Sequence, residues 1–478
     1  MSNWSLSNWS LPILLLLTAA AYLNSFAGSW QFDDFAVLLR DPRVQSLAAW
    51  WQSLPHIRPL FKLSVALNHQ LGGSLLLFHL LNLLLHLINT VLVYALCRRL
   101  LRNFLNAEAL TLSTIFITLI FALHPAQTEV VTYLSGRSVA LEATGVLLAV
   151  WSWLHVIEQP SWRWRAVTLI AVLLAVASRE TAIVTPLLLC WFSFMVRTSA
   201  PTAVGVALDS RPAAGRFSVV IAVLLMLVLL ALLLLLPRYR ELIGLALQWQ
   251  NLSQLLASQT QALLHLLLVA LGWAPLNADP ALMIAELDSV RGAMSVVVIA
   301  ALCWLGWYCR ARQPLVALGI GWAMLSWLPT HSLLLRYDPV NDRQLYLALP
   351  GLSLALVAGL AAMLKWLRER ATLTSASWRQ VVPMIVLLLF ALLLARQIWQ
   401  RNQLYRAEIP FWQDVVQKAP HNARGWNNLG VALADADERV ASERAFEQAL
   451  AIRPGYVQAA VNLKLLRAGL PLQAPASE

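Results

Sequence analysis

Apolar runs of roughly 17 to 25 residues recur along this chain between short charged loops, the pattern of helices that cross a bilayer. Backbone amides in hydrocarbon need internal partners, so each such run has to be helical. Composition agrees: of 478 residues, 59% are hydrophobic and 12% charged, with a mean hydropathy of +0.65. A soluble domain of this size carries about 25% charged residues. The chain is read as an all-α, polytopic membrane bundle. Its net charge of +11 does not indicate nucleic-acid binding, because the basic residues sit singly at the ends of runs rather than on a stripe. Cys97, Cys190, Cys303 and Cys309 lie in or at the ends of apolar runs with no metal-like spacing, and are read as packing residues.

The expected spans are 10–27, 76–97, 109–123, 138–156, 166–178, 181–196, 217–236, 294–309, 315–330, 345–364 and 381–397. The first lacks a basic flank and reads as a retained anchor rather than a cleaved leader. A twelfth stretch, 258–273, is ambiguous. With the N-terminus cytoplasmic and 258–273 not crossing, Arg98, Arg99, Arg102, Arg310, Arg312, Lys365 and their neighbours give the inner side about +10 net. The outer loops before the tail come to about −1, so 258–273 is read as a half-inserted or re-entrant helix.

This topology puts the first loop, 28–74, and the tail on one outer face. Two stretches of the loop, 46–53 and 59–70, have the helical apolar spacing of interface-lying amphipathic helices. From about Arg401 the chain turns polar, dividing it into a membrane domain, 1–400, and an outer domain, 401–478. Trp426, Leu429, Gly430, Leu433, Ser442, Phe446, Ala449 and Pro454 fall on the signature positions of a tetratricopeptide repeat, whose period is roughly 34 residues. Trp412 and Pro420 precede two of them by one period. One repeat cannot bury its own face, so it is expected to lean on the membrane domain or on a bound peptide or protein.

Five polar constellations carry candidate chemistry. Asp33 and Asp34 follow the first span. Neighbouring carboxylates raise each other's pKa, and one can take a proton from an attacking hydroxyl; a helix N-cap or surface turn is the plain alternative. His124-Pro125 closes the third span, with Glu129 and Arg137 beyond it at the level of Asp34. Arg179-Glu180 closes the fifth, either as an interfacial ion pair or as part of a site. Asp338, Asp342 and Arg343 precede the span beginning at Leu345, near His331 and Arg336. Arg343 suits a lipid-linked phosphate through paired hydrogen bonds, or a local salt bridge to Asp338 or Asp342. His79, Asn82, His86 and Asn89 share one helix face, better suited to interhelical hydrogen bonds than to catalysis. Except for that seam, every cluster lies on the outer rim, whereas a transporter places its charges near the midplane.

Several segments together carry a family resemblance: Phe32-Asp33-Asp34, Arg58-Pro59-Leu60, Leu67 to Gly73, and Phe78 to Asn82 leading to His86. His124-Pro125, Thr128-Glu129-Val130, Gly136-Arg137 and Asp342 to Leu347 follow in order. The acidic pair in the first outer loop resembles the GT-C glycosyltransferases, and the whole set resembles the transmembrane and tetratricopeptide-repeat O-mannosyltransferases. The resemblance implies transfer of a hexose, mannose in that family, from a polyprenyl-phosphate sugar to a Ser/Thr hydroxyl, with inversion. Asp34 or Asp33 would be the base, with Glu129 orienting the acceptor or sharing a divalent cation, magnesium or manganese, with Asp34. Arg343, Arg137, His124, Arg58, Arg179, Glu180, Asp342 and His79 would surround the lipid phosphate and substrate. The site would face the periplasm in a bacterial inner membrane, with an undecaprenyl carrier, or the lumen of the endoplasmic reticulum, with a dolichyl one. Two departures stand out: the repeat region is short for that family, and Arg179-Glu180 stands where a Lys-Glu pair is expected. A glycan or lipid A acceptor, and a non-enzymatic membrane scaffold, are the competing readings.

Overall fold

The computed structural model describes residues 6–54, 56–198, 212–237, 240–241, 243–244, 252–331, 340–370 and 378–472. Asp338 and Arg336 lie outside the described residues. Among those residues the chain is helical with no strand. Helix α1 (Leu6–Ala21) leads to the first loop, which carries the short helices α2 (Leu47–Gln52) and α3 (Pro59–Gln70). The apolar helices α4 (Leu75–Leu101), α5 (Ala107–Leu123), the short α6 (Thr128–Val131), α7 (Arg137–Glu158), α8 (Trp162–Ser178) and α9 (Thr185–Thr198) follow. Beyond them come α10 (Pro212–Leu235), α11 (Leu252–Ala270), α12 (Val290–Cys309), α13 (Pro314–Trp327), α14 (Leu345–Arg370) and α15 (Trp378–Leu404).

Six stretches among the described residues are long and apolar enough to cross a membrane: Trp9–Ala27, Leu75–Leu101, Leu134–Glu158, Val290–Cys309, Asp342–Leu367 and Ile385–Leu404. Counting Ala107–Leu123 with Pro125–Val131, bent by 45°, makes seven; Glu180–Val196 and Pro314–Trp327 are apolar but shorter. This is a multi-pass membrane bundle. Pro125 has no N–H to continue α5, and His124 leaves the helix with extended backbone and accepts the Ala126 N–H at Nδ1, 3.2 Å.

Helices in lipid gain little from hydrophobic exclusion, so close approach of small residues holds them together. A Cβ on Gly145 of α7 would lie 2.7 Å from Ala175 of α8, and one on Gly319 of α13 would lie 2.4 Å from the Gly351 carbonyl of α14. Around these crossings Val93, Leu147, Phe192, Trp322 and Tyr346 form the main core. The seam of α4 joins that core by hydrogen bonds. His86 Nδ1 and Asn89 Nδ2 meet the Tyr346 hydroxyl at 2.8 and 3.1 Å, and Asn89 Oδ1 accepts from Thr144 at 2.8 Å. Of the cysteines, Cys97 packs in the core, whereas Cys303 faces outward.

The tail forms α16 (Glu408–Lys418), α17 (Ala423–Asp435), α18 (Arg439–Ile452) and α19 (Val457–Ala468). Three residues join α17 to α18, so the two run antiparallel. A Cβ on Gly430 would lie 2.7 Å from the buried Phe446 ring, and Ser442 Oγ donates to the Gly430 carbonyl at 2.6 Å. The tail is fastened to the stretch that follows α11. Arg424 grips Asp279 with two bonds of 2.8 and 2.6 Å, Lys418 donates to the Leu276 carbonyl, and Asn422 donates to the Asp279 carbonyl. The last apolar helix runs past position 400, and Arg401 and Asn402 are buried within the body.

Candidate functional site: an acidic pair beneath an arginine rim

The chain leaves α1 through a helical turn at Leu23–Ala27 and bends sharply at Phe32, which adopts a left-handed φ of 48°. The bend sends the next two carboxylates in different directions. Asp34 is fully buried. Its Oδ1 accepts from the Ser135 N–H at 2.8 Å and the Ser135 hydroxyl at 2.6 Å, and its Oδ2 accepts from the Gln31 N–H at 3.1 Å. Burial outweighs those bonds and pushes the Asp34 carboxyl up to about 7. Asp33 is half-exposed, and its backbone N–H donates to the Tyr133 hydroxyl at 3.1 Å. No protein hydrogen bond or ion pair to its carboxylate occurs among the described residues. Asp34 ties the first loop to the Tyr133–Ser135 turn, while Asp33 presents its carboxylate.

Tyr133 is the hub. Burial, and then the charges of Asp33 and Asp34, hold its phenol well above the usual range, so it remains a neutral hydroxyl. The Arg343 guanidinium stands 5.9 Å from the centre of its ring. Arg343 is half-exposed and, among the described residues, its guanidinium makes no ion pair, including with Asp342. A 3₁₀ turn capped by Asn341 and Gln344 sets its backbone.

Further along the rim, Arg58 also has a left-handed φ, 53°, just before Pro59. Strained backbone of this kind clusters at sites whose surroundings hold it in place. Its guanidinium binds Glu180 with two bonds, 2.8 and 2.5 Å. Arg179 instead donates to Ser138 Oγ at 3.1 Å and lies 3.8 Å from Glu142. Arg179 and Glu180 are neighbours in sequence, yet Arg179 pairs with α7 and Glu180 with the residue that precedes α3.

Other expected site residues are committed elsewhere. Arg137 is fully buried and donates to Asn82 at 2.8 Å, Asn68 at 2.5 Å, Ser64 at 3.3 Å and the Phe78 carbonyl at 3.1 Å. With four of its five donors so spent, it fastens α3, α4 and α7 together and has no free pair left to grip a lipid phosphate. His79 is buried in α4 beside Phe26 and Gly28. His124 serves as the turn cap already described.

Glu129 and Asp342 form a second, closed cluster. Arg401 Nη2 meets Glu129 Oε1 at 3.1 Å and Asp342 Oδ2 at 3.3 Å, its Nε donates to Thr128, and the Tyr405 hydroxyl also donates to Glu129. All of these groups are buried. A divalent cation shared by Asp34 and Glu129 does not fit these donors: the Asp34 oxygens are filled by Ser135 and Gln31, and Glu129 faces a guanidinium. Among the described residues, no three His, Cys, Asp or Glu side chains are grouped to hold a metal. Sequence reading did not single out Tyr133, Ser135, Arg401 or Tyr405 for this site. Arg401 had a visible signal, a cation at the end of an apolar run. The others had none.

No protein-family model matches the chain. Similarity to curated proteins extends along most of it. Protein O-mannosyl-transferase TMTC3 of Mus musculus is 23% identical over 502 aligned positions, spanning 95% of this chain and 52% of that protein. The Homo sapiens TMTC3 is 22% identical, spanning 97% of this chain and 53% of the relative. Protein O-mannosyl-transferase Tmtc1 of Drosophila melanogaster is 32% identical over 190 residues, 36% of this chain and 21% of the relative. The chain thus spans about half the length of the two TMTC3 relatives it matches from end to end. The TMTC resemblance read from the motifs is borne out by these likenesses.

Proposed function

We propose that this chain is an integral-membrane glycosyltransferase that moves a hexose, mannose on the likeness to its relatives, from a polyprenyl phosphate to a protein Ser/Thr hydroxyl. One observation carries the reading: the backbone N–H of the half-exposed Asp33 donates to the Tyr133 hydroxyl and the Arg343 guanidinium stands 5.9 Å from the centre of the same ring, which brings a residue able to act as base and a cation suited to phosphate to one tyrosine. Asp33 is the base. Asp34 holds the turn that presents it.

In the reaction, the acceptor oxygen forms a bond to the anomeric carbon while the bond from that carbon to the phosphate oxygen breaks on the opposite face, inverting the centre. The electron pair leaves with the lipid phosphate, and the acceptor proton passes to Asp33. Arg343 neutralises the departing phosphate. A free aspartate has a pKa near 3.9 and is a weak base for an alcohol. Proton transfer therefore accompanies bond cleavage, and positioning supplies much of the acceleration. The lipid tail lies along the outer bundle surface, on the periplasmic face of a bacterial inner membrane or its lumenal counterpart. The tail helices act as a short tetratricopeptide array that receives the acceptor peptide.

The test is incubation of the purified protein, in lipid nanodiscs, with a panel of polyprenyl-phosphate hexoses and an acceptor peptide. Release of free lipid phosphate with a matching hexose gain on Ser or Thr is expected. A folded protein that consumes none of the donors would overturn the reading.

A further inference from the structure

The strained residue before the acidic pair is held by the tail. Phe32 is not glycine, so its left-handed backbone needs outside support. Its ring meets Trp412 of α16 edge to face at 5.3 Å, and the Arg424 guanidinium of α17 lies 5.6 Å from its centre. Trp412 is itself fully buried against Phe411, and Arg424 is fixed by its two bonds to Asp279. The same loop is gripped through its backbone: the Tyr405 carbonyl accepts from the Ser29 N–H at 2.8 Å and from Gln31 Nε2 at 3.2 Å. The opposite side is fastened by Tyr133 and Ser135. The bend at 32 thus sits between two walls, one of which is the tail.

We infer that the first two tail helices are a positioning clamp for the acidic pair: Trp412 and Arg424, with Asp279 behind them, hold Phe32 in its left-handed conformation and thereby aim Asp33. Trp412, Arg424 and Phe32 are positioning residues. They touch no reacting atom, and they act through the backbone they constrain. On this view the tail does more than receive an acceptor, since without it the carboxylate loses its aim. The activity arm of the test rests on the glycosyltransferase reading; the exchange arm does not.

The experiment uses the full-length protein in nanodiscs and compares wild type with Trp412→Ala, Trp412→Phe, Arg424→Gln and Phe32→Gly. Backbone hydrogen exchange is followed at Ser29, Asp33 and Asp34, with α3 as internal reference. Trp412→Ala should speed exchange at those three amides by about tenfold or more while α3 is unchanged, because local opening is set by the contacts that hold a segment. Transfer should fall by roughly a hundredfold in kcat, as expected for a misplaced reacting group, with the KM for lipid donor within about twofold. Trp412→Phe should restore most of it. Phe32→Gly separates strain from aim, because glycine adopts the left-handed conformation without the Cβ clash while its lack of a ring removes the hold of Trp412 and Arg424: kcat should still fall, with the bundle helices as protected from exchange as in wild type. Unchanged exchange in Trp412→Ala would overturn the clamp. So would Phe32→Gly and Arg424→Gln retaining wild-type kcat. If the wild type transfers no sugar at all, the functional reading falls and the exchange result alone decides the clamp.

Discussion

Replacing Asp34 by asparagine should produce a stability difference whose sign changes with pH. The carboxyl is fully buried among three donors: the N–H and hydroxyl of Ser135 and the N–H of Gln31. Asparagine keeps one acceptor oxygen. If that oxygen stays with Ser135, the side-chain NH₂ faces the Gln31 N–H, and a buried donor loses its acceptor at a cost of about 1–3 kcal/mol. The wild type bears a different burden. Its carboxyl is raised from 3.8 to about 7, so its contribution is fully present below the unfolded value and is lost as pH rises towards 7. The loss over that window comes to about 4 kcal/mol. The substituted amide cannot ionise and escapes it. Asp34→Asn should therefore be less stable than wild type at pH 4.5 and equal or more stable at pH 7.5. Denaturant or thermal unfolding of both proteins in the same detergent, at closely spaced pH values, measures the crossing. A difference that stays constant from pH 4.5 to 7.5 would refute the buried, proton-sharing anchor and return Asp34 to the list of candidate bases.

Asp33→Asn should leave stability within about 0.5 kcal/mol, as for a surface substitution, and lower transfer by about 10²–10⁴, the range for loss of a general base; near-wild-type release of lipid phosphate would remove Asp33 from its role. Arg401→Met strips the shared cation from Glu129 and Asp342 and leaves two buried carboxylates facing each other. The protein should lose about 3–5 kcal/mol and be recovered in low yield, which expression and unfolding in detergent will show. Gly430→Val places a side chain 2.7 Å from the Phe446 ring and should cost the tail about 1–3 kcal/mol, read as faster proteolysis of residues beyond 400.

The parts of this molecule set by neighbours in sequence were legible from the sequence. The spacing over 59–70 returned as helix Pro59–Gln70, Pro125 ended α5 as its missing N–H requires, and the small residues Gly430 and Ser442 came together, with Ser442 Oγ donating to the Gly430 carbonyl. Each needs only a local period or one forbidden hydrogen bond. Charge partnerships were not legible, because they depend on which distant helix arrives. Asp33 and Asp34 look equivalent on paper, and a residue 101 positions away separates them by burying one against Ser135. Arg179 and Glu180 invite pairing with each other, yet Glu142 and Arg58 claim them. Arg137 carries a charge suited to phosphate, and four acceptors from two other helices occupy it. A buried charge at a membrane rim is tolerated only with partners, so most of the charged residues flagged here became fasteners. What remains is Asp33, whose backbone bonds the Tyr133 hydroxyl, and Arg343, whose guanidinium stands 5.9 Å from the same ring; neither side chain has an ion-pair partner among the described residues, and that surplus is the physical ground on which we propose the chemistry there.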